Sequence, residues 1–228
     1  GYGMTETTGV ISCNRPGFVK IGSVGQALPD TEIRIAEDGE IFVRAPQNIK
    51  EYYKNEKATN ELLKADGNGS YWLHTGDVGH IDEEGYLFIT DRKKDLIITA
   101  GGKNVAPQNI ENLLKTSPFV SQAMVYGDAK PYLTALITMD EDEITKFARD
   151  RKLLYKDQAD LSKKEEVLEL YRQEVHFKNE KLASYETIKK FFVLEEDFDQ
   201  NKDELTPTMK VRRKVVTERY KDILENFY

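Results

Sequence analysis

"TDRKKDLIITAGGKNVAP", Thr90 to Pro107, is where one sequence pattern stops and another begins. Upstream of it the chain reads as short strands between turn signals. In "TEIRIAEDGEIFVRAP", Ile33 and Ile35 alternate with polar residues, Asp38-Gly39 supplies a turn, and Ile41 and Val43 alternate again, which predicts a hairpin. "GHIDEEGYLFITDR" repeats the device, with Glu84-Gly85 as the turn and Tyr86 to Thr90 as the returning strand. Between them, "NEKATNELLKADG" reads as a short amphipathic helix ending at Gly67. Downstream the period changes. Pro107 opens a helix with Ile110, Leu113 and Leu114 on one face. "SQAMVYGDAKPYLTALITMD" is a strand, a Gly-Asp turn and a strand; helical spacing follows at Ile144, Phe147 and Ala148 and at Val167, Leu170 and Tyr171. "KKFFVLEEDF" predicts a last strand and Val211 to Tyr228 a last helix. The expected fold is α+β, with a small β-rich subdomain over residues 1–91 and a compact α+β domain over residues 92–228.

A chain of 228 residues can bury two modest cores, and 39% hydrophobic residues place it among globular rather than disordered sequences. A net charge of −7 without a long basic run argues against nucleic-acid binding. No apolar stretch approaches the roughly 20 residues of a membrane span, and nothing resembles a cleavable signal. The single cysteine, Cys13, excludes an internal disulfide framework and suits a reducing compartment. These features predict a cytoplasmic protein and leave room for peripheral association with the inner face of a membrane.

Four stretches hold more small, hydroxylated and charged residues than a fold requires, and each also has a plain structural reading. In "GYGMTETT", glycines permit close backbone approach, Thr5 offers a hydroxyl to a phosphate and Glu6 a carboxylate to Mg2+; the alternative is a polar loop. In "YWLHTGDVGHID", Asp77 follows a Thr-Gly turn and could accept from two neighbouring ribose hydroxyls, or simply sit in the turn. His74 and His80 lack a third ligand at metal-binding spacing. In the opening stretch, Arg92 is a planar donor fork suited to a diol or a phosphate, and Gly101-Gly102 could line a channel for a slender substrate or end a strand. In "LTPTMKVRRKVV", Pro207 and Thr208 can start the final helix, which would place Lys210 near a helix N-terminus beside an anion; the alternative is a solvated basic face.

Taken in order, these segments resemble the adenylate-forming ligases, the superfamily of acyl-CoA synthetases, luciferases and peptide-synthetase adenylation domains. "YGMTE" is similar to that family's Y-G-x-T-E motif, "GSVGQALP" to its G-x-x-G-x-P segment and "HTGD" to its ribose-binding T-G-D. "DRKKDLIITAGGKNVAP" resembles its hinge and following loop, and "LTPTMK" with "VRR" its catalytic-lysine motif. The resemblance is closest to long-chain fatty acyl-CoA synthetases, through "GDAKPYLTALI", "LTPTMK" and the extended helical region between Met139 and Tyr185. Many family members carry Gly where this chain has Met209; Met or Leu there is typical of the long-chain branch.

The resemblance implies substrates and roles. Fatty acid, ATP and coenzyme A would be the substrates, with Mg2+ as metal. Tyr2 and Gly3 would flank the adenine, Thr5 would touch phosphate and Glu6 would coordinate Mg2+. Asp77 and Arg92 would hold the ribose. Lys94 would be the hinge of a mobile C-terminal domain, and Gly101, Gly102 and Lys103 would border the pantetheine channel. Lys210 would reach the substrate carboxylate and the α-phosphate. It also implies that the chain is the C-terminal portion of a longer ligase, its phosphate loop and acyl tunnel lying upstream, and that this portion alone is inactive. Rival expectations are a medium-chain acyl-CoA synthetase, a peptide-synthetase adenylation domain, or a non-catalytic nucleotide-binding module.

Overall fold

A computed structural model describes residues 1–67 and 69–228. They form two compact units, Gly1–Asp95 and Leu96–Tyr228. Arg92 pairs with Asp77 across a ladder and Lys93 is tied to Asp38 and Glu40, which holds both residues in the first unit.

The first unit is β-rich. β1 (Tyr2–Met4), β2 (Gly9–Cys13) and β3 (Gln26–Ala27) form one antiparallel sheet. A second sheet contains β4 (Glu32–Ile35), β5 (Glu40–Arg44), β6 (Leu63–Ala65), β7 (Tyr71–Ile81) and β8 (Leu87–Arg92). The β4–β5 hairpin closes as expected: Gly39 takes φ of 85°, and the Asp38 carboxylate accepts from the Glu40 amide at 3.1 Å. The second hairpin turns through Asp82, whose carboxylate accepts from the amides of Glu84 and Tyr86. Helix α1 (Glu56–Leu62) starts at an Asn55 cap but stops short of the expected Gly67. Leu63, Lys64 and Ala65 pair instead with Leu73, Trp72 and Tyr71, so ladder hydrogen bonds on the edge of β7 win over helical propensity. The face of α1 that carries Ala58 and Leu62 is only half-buried.

The geometry of β7 matters for the site. Leu73 pairs with both Val43 and Leu63, and Val78 with both Glu40 and Asp91, so β6 and β8 follow one another along a single edge of β7. Thr75 and Gly76 lie between those two partners. There the register against β5 slips, and Gly76 adopts φ of 69°. The Thr-Gly-Asp segment is thus a bulge in a strand, a device that re-aims a side chain.

The second unit is layered α+β. A small hairpin of β9 (Ile97–Ile98) and β10 (Asn104–Val105) leads into α2 (Pro107–Leu114). β11 (Val120–Tyr126), β12 (Leu133–Met139) and β13 (Ile188–Val193) form the sheet, β12 being antiparallel to β11 and parallel to β13. The long connection from β12 to β13 carries α3 (Glu141–Asp150), α4 (Gln158–Leu161) and α5 (Glu165–Asn179). Ala123, Val125, Ala135 and Ile137 pack with residues of α2, α3 and α5 in one core. Met124 and Leu136 point the other way, into a core with Leu194, Phe198, Leu205, Val216 and Leu224. Every residue of β12 is buried, Thr134 and Thr138 among them, as suits a largely apolar strand covered on both faces.

Two features depart from expectation at the C-terminal end. The last helix is two, α6 (Arg213–Arg219) and α7 (Lys221–Glu225), and neither begins at Pro207 or Val211. Val211 instead forms a bridge with Leu205, and Tyr220 leaves helical geometry at φ −104°, ψ 22°, where its ring packs 6.3 Å from that of Phe198.

Tyr171, fully buried on α5, donates from its hydroxyl to the carbonyl of Phe119 at 2.6 Å. That carbonyl also accepts from the Asp140 amide at 2.9 Å, so losing the hydroxyl leaves it partnered. Tyr171→Phe is therefore expected to cost only about 1 kcal/mol by urea unfolding. A loss above about 3 kcal/mol, the range of an orphaned buried group, would contradict this account.

Candidate functional site

In the first unit the structure brings Tyr2, Asp77 and Arg92 together. Asp77 is buried at 8% exposure, and its Cα pairs directly with that of Arg92 across β7 and β8. The Asp77 Oδ1 lies 3.3 Å from the Arg92 Nε, and its Oδ2 accepts from the Tyr2 hydroxyl at 2.6 Å. Burial, together with the hydrogen bond to this carboxylate, pushes the Tyr2 hydroxyl well above its ordinary pKa, so it stays protonated and donating. The Asp77 amide donates to Thr75 Oγ1, which itself donates to the Ile41 carbonyl, so the bulge is braced from behind. The Arg92 side chain is more than half exposed, leaving its remaining donors available to a ligand.

A second group surrounds Glu6. It lies in the single helical turn Thr5–Thr7, which Thr7 holds in place by hydrogen bonds with Met4 and Gly9. The Glu6 Oε1 accepts from the Tyr52 hydroxyl at 2.6 Å, and chiefly through that bond the Tyr52 pKa is pushed up to about 12. Among the described residues, Glu6 Oε2 takes no hydrogen bond, and Thr5 keeps an exposed hydroxyl. No group of three or more His, Cys, Asp or Glu among the described residues could hold a metal by itself. The donor set instead fits a shared Mg2+, which takes one or two carboxylates and completes its shell with water and substrate phosphates. Gly3 has a structural reason to be glycine, since a Cβ there would sit 2.1 Å from the Gly9 carbonyl oxygen.

Beside Arg92, Lys93 lies 2.7 Å from both Asp38 Oδ2 and Glu40 Oε2, and these partners raise its pKa, Asp38 foremost. Glu40 also accepts from the Gly76 amide at 3.1 Å, tying Lys93 to the bulge. Burial lowers the pKa of His74 and outweighs the opposing pull of Glu40, 3.8 Å away. Lys94, next in the turn Lys93–Asp95, is exposed and makes no side-chain hydrogen bond or ion pair among the described residues. With Thr75, Gly76, Arg92 and Lys93 it lines an open cleft of about 380 Å3.

In the second unit, Gly101, Gly102 and Lys103 form the exposed loop of the β9–β10 hairpin. Gly102 closes it at φ 74°, with its amide donating to the Thr99 carbonyl. Gly101 has no such conformational need, and a Cβ there would meet only the Thr99 hydroxyl at 3.9 Å. The Lys103 ammonium lies over the Tyr185 ring, 5.8 Å from its centroid. Residues of the "GDAK" segment hold this hairpin: the Asp128 carboxylate accepts from the Ile98 amide, and the Lys130 carbonyl from the Ala100 amide.

Lys210 is not near a helix N-terminus, contrary to expectation, because α6 begins only at Arg213. It closes a tight exposed turn in which its amide donates to Thr206 Oγ1 and its carbonyl accepts from the Thr206 amide. Met209 adopts φ of 60° there, a left-handed conformation costing a non-glycine residue about 1–2 kcal/mol. That explains a preference for glycine at this position without any role in catalysis. Among the described residues, the Lys210 ammonium has no hydrogen-bond or ion-pair partner.

Tyr52, Glu40 and Lys93 escaped the sequence reading as contributors to the site. Lys93 lies between Arg92 and Lys94 in the opening stretch but has no motif role of its own; Tyr52 lies 46 residues from Glu6 and follows no motif.

The AMP-binding enzyme C-terminal domain family matches residues 94–228, and the AMP-binding enzyme family matches residues 1–53. The chain is 42% identical over 229 residues to the long-chain-fatty-acid–CoA ligase FadD15 of Mycobacterium tuberculosis, covering all of this chain and 37% of that protein. It is 34% identical over 251 residues to the long-chain-fatty-acid–CoA ligase ACSBG1 of Bos taurus, covering all of this chain and 34% of that one. The chain thus spans little more than a third of the length of these curated relatives. Among solved structures, the O-succinylbenzoate coenzyme A synthetase MenE of Bacillus subtilis in complex with ATP and magnesium ion aligns at TM-score 0.61 and 31% identity, over 93% of this chain and 40% of that chain. An ATP-bound RpMatB-BxBclM chimera aligns at TM-score 0.70 and 27% identity, over 97% of this chain and 40% of that one. With well over half of its residues matched by the C-terminal domain family and the α+β fold shared with adenylate-forming structures, the chain belongs to the AMP-binding enzymes.

Proposed function

We propose that this chain supplies the ribose-binding carboxylate, the hinge and the catalytic lysine of an ATP-dependent long-chain fatty acid–CoA ligase. The observation that carries the reading is the Tyr2–Asp77–Arg92 constellation, a buried carboxylate braced from two sides and set beside an exposed guanidinium. The names of the relatives supply the substrate class.

In the first half-reaction a fatty carboxylate attacks the α-phosphate of ATP, forming an acyl adenylate and expelling pyrophosphate. Asp77 accepts hydrogen bonds from the ribose hydroxyls and Arg92 donates to the same sugar, so both act by positioning. Tyr2 donates to Asp77 and keeps its second oxygen directed, while its ring flanks the adenine with the Gly3 backbone. Thr5 donates to a phosphate oxygen. Glu6, held by Tyr52, would be the protein ligand of Mg2+, which supplies neutralisation of phosphate charge. Lys210 reaches the carboxylate and the α-phosphate where negative charge builds.

In the second half-reaction the thiol of coenzyme A attacks the acyl carbonyl and AMP leaves. Lys210 would obstruct that step, so rotation about Lys94 withdraws it and brings the Gly101–Lys103 loop to the site. Gly101 leaves room for the pantetheine arm, and Lys103 adds a cation for the phosphates of coenzyme A. A cytoplasmic location with peripheral contact at the inner face of a membrane is part of this reading; no helix among the described residues is long and apolar enough to cross a membrane.

The test is ATP–pyrophosphate exchange with fatty acids of graded length in the full-length protein. Asp77→Asn keeps the size of the side chain and removes its charge. It is expected to raise KM for ATP about 10- to 100-fold, as befits loss of one or two charge-assisted hydrogen bonds. Exchange that depends on amino acids instead of fatty acids would overturn the substrate class, and an unchanged KM would overturn the role of Asp77.

A further inference from the structure

We propose that Glu111 and Arg213 form a positioning pair that aims the Lys210 turn for adenylation, an inference that rests on the ligase reading above. Lys210 is exposed, and its turn is held through its base. Leu205 bridges Val211, and the Arg212 amide donates to the Glu204 carbonyl at 2.8 Å. Glu204 is itself fully buried, its carboxylate accepting from the Asp199 amide at 3.0 Å with the Arg219 Nε 3.4 Å away. One residue further on, where the turn enters α6, Arg213 reaches into the domain core.

The fork of Arg213 is held on both sides. Its Nη2 donates to Glu111 Oε2 at 2.5 Å and its Nη1 to the Val125 carbonyl at 3.2 Å. The other Glu111 oxygen accepts from the Val125 amide at 2.7 Å, so α2, β11 and the start of α6 close a ring of hydrogen bonds. The Glu111 side chain is only 9% exposed and that of Arg213 23%. An apolar pair of similar volume would fill this space without desolvating two charges, so what the ion pair adds is direction more than stability. A planar guanidinium fixed at two nitrogens sets the rotation of the first turn of α6, and with it the exit direction of the three-residue span back to Lys210. The pair touches no substrate and acts only through that lysine.

The test uses Glu111→Gln and Arg213→Lys in the full-length protein. Either substitution is expected to lower the kcat of ATP–pyrophosphate exchange about 10- to 100-fold, the scale of a misplaced catalytic group, with KM for ATP unchanged. Thioester formation from supplied acyl adenylate is expected to stay at the wild-type rate. Amide hydrogen exchange at Lys210 and Arg212 is expected to speed up while the amides of β12 keep their protection. In a Lys210→Ala background neither substitution is expected to cost anything more. Equal loss in both half-reactions, further loss on top of Lys210→Ala, or unchanged exchange at Lys210 would each overturn the pairing role. If Glu111→Gln fails to fold, Arg213→Lys carries the same test, because it leaves a cation opposite the buried carboxylate. A wild-type protein without pyrophosphate exchange overturns the ligase reading instead, and amide exchange at Lys210 then still decides whether the pair holds the turn.

Discussion

Lys210→Ala in the full-length protein is expected to lower acyl-adenylate formation by about 10^3-fold and to leave thioester formation from supplied acyl adenylate nearly unchanged. The magnitude follows from the job. One preorganised donor at a developing charge is worth about 10^2 to 10^3, and in the proposed role Lys210 would serve both the entering carboxylate and the α-phosphate. The selectivity follows from the surroundings. Its ammonium has no partner among the described residues, and its turn is closed by backbone and by Thr206, so the side chain holds nothing else in place. Thermal stability is therefore expected to stay within about 0.5 kcal/mol of wild type, as for an exposed substitution. Rapid-quench measurement of each half-reaction checks the prediction, and comparable losses in both would remove Lys210 from its role.

Much of the architecture was legible because its elements carry local signals. Asp38-Gly39 and Glu84-Gly85 mark turns by chemistry that needs no tertiary partner, and both hairpins form there. Pro107 opens α2, and the largely apolar composition of β12 suits a strand covered on both faces. The failures share one cause. Residues 63–65 look helical in isolation, yet the edge of β7 offers them ladder hydrogen bonds. Pro207 and Thr208 look like a helix start, yet Val211 pairs with Leu205 and holds the chain in a turn. Tyr220 looks like helix interior, yet its ring packs beside Phe198. In each case a pairing or packing partner beyond the reach of one helical turn decided a conformation that local propensity left nearly balanced.

The site was legible to a different degree. Asp77 and Arg92 face each other through strand register, which the hairpin between them makes readable once its turn is placed. The hydrogen bond from Tyr2 to Asp77 spans 75 residues and joins two sheets, so no spacing rule announces it. The same holds for Tyr52 on Glu6, and for Glu111, whose helical position reads as one more polar residue although its carboxylate holds Arg213 across 102 residues. Motif chemistry thus points to the groups that would meet a ligand, whereas the groups that aim them emerge only from the fold.

Lys94→Pro is expected to spare adenylate formation within about 3-fold and to slow thioester formation by about 10^2-fold or more, the reverse of Lys210→Ala. The neighbouring Lys93 is anchored at 2.7 Å to both Asp38 and Glu40, so the chain is fixed to the first unit up to that residue. Lys94 has no such anchor and lies exposed in a single turn, where a backbone rotation breaks no side-chain contact. Proline locks φ near −65° and disfavours helical geometry at the residue before it, so it removes the freedom the proposed hinge would need. Because Lys93 is that preceding residue, loss of its ion pairs is the rival explanation for any defect. It would lower the melting temperature of the first unit and impair nucleotide binding, so a thioester defect at unchanged melting temperature and unchanged KM for ATP separates the two. Full thioester activity in Lys94→Pro would show that the chain does not turn at this residue.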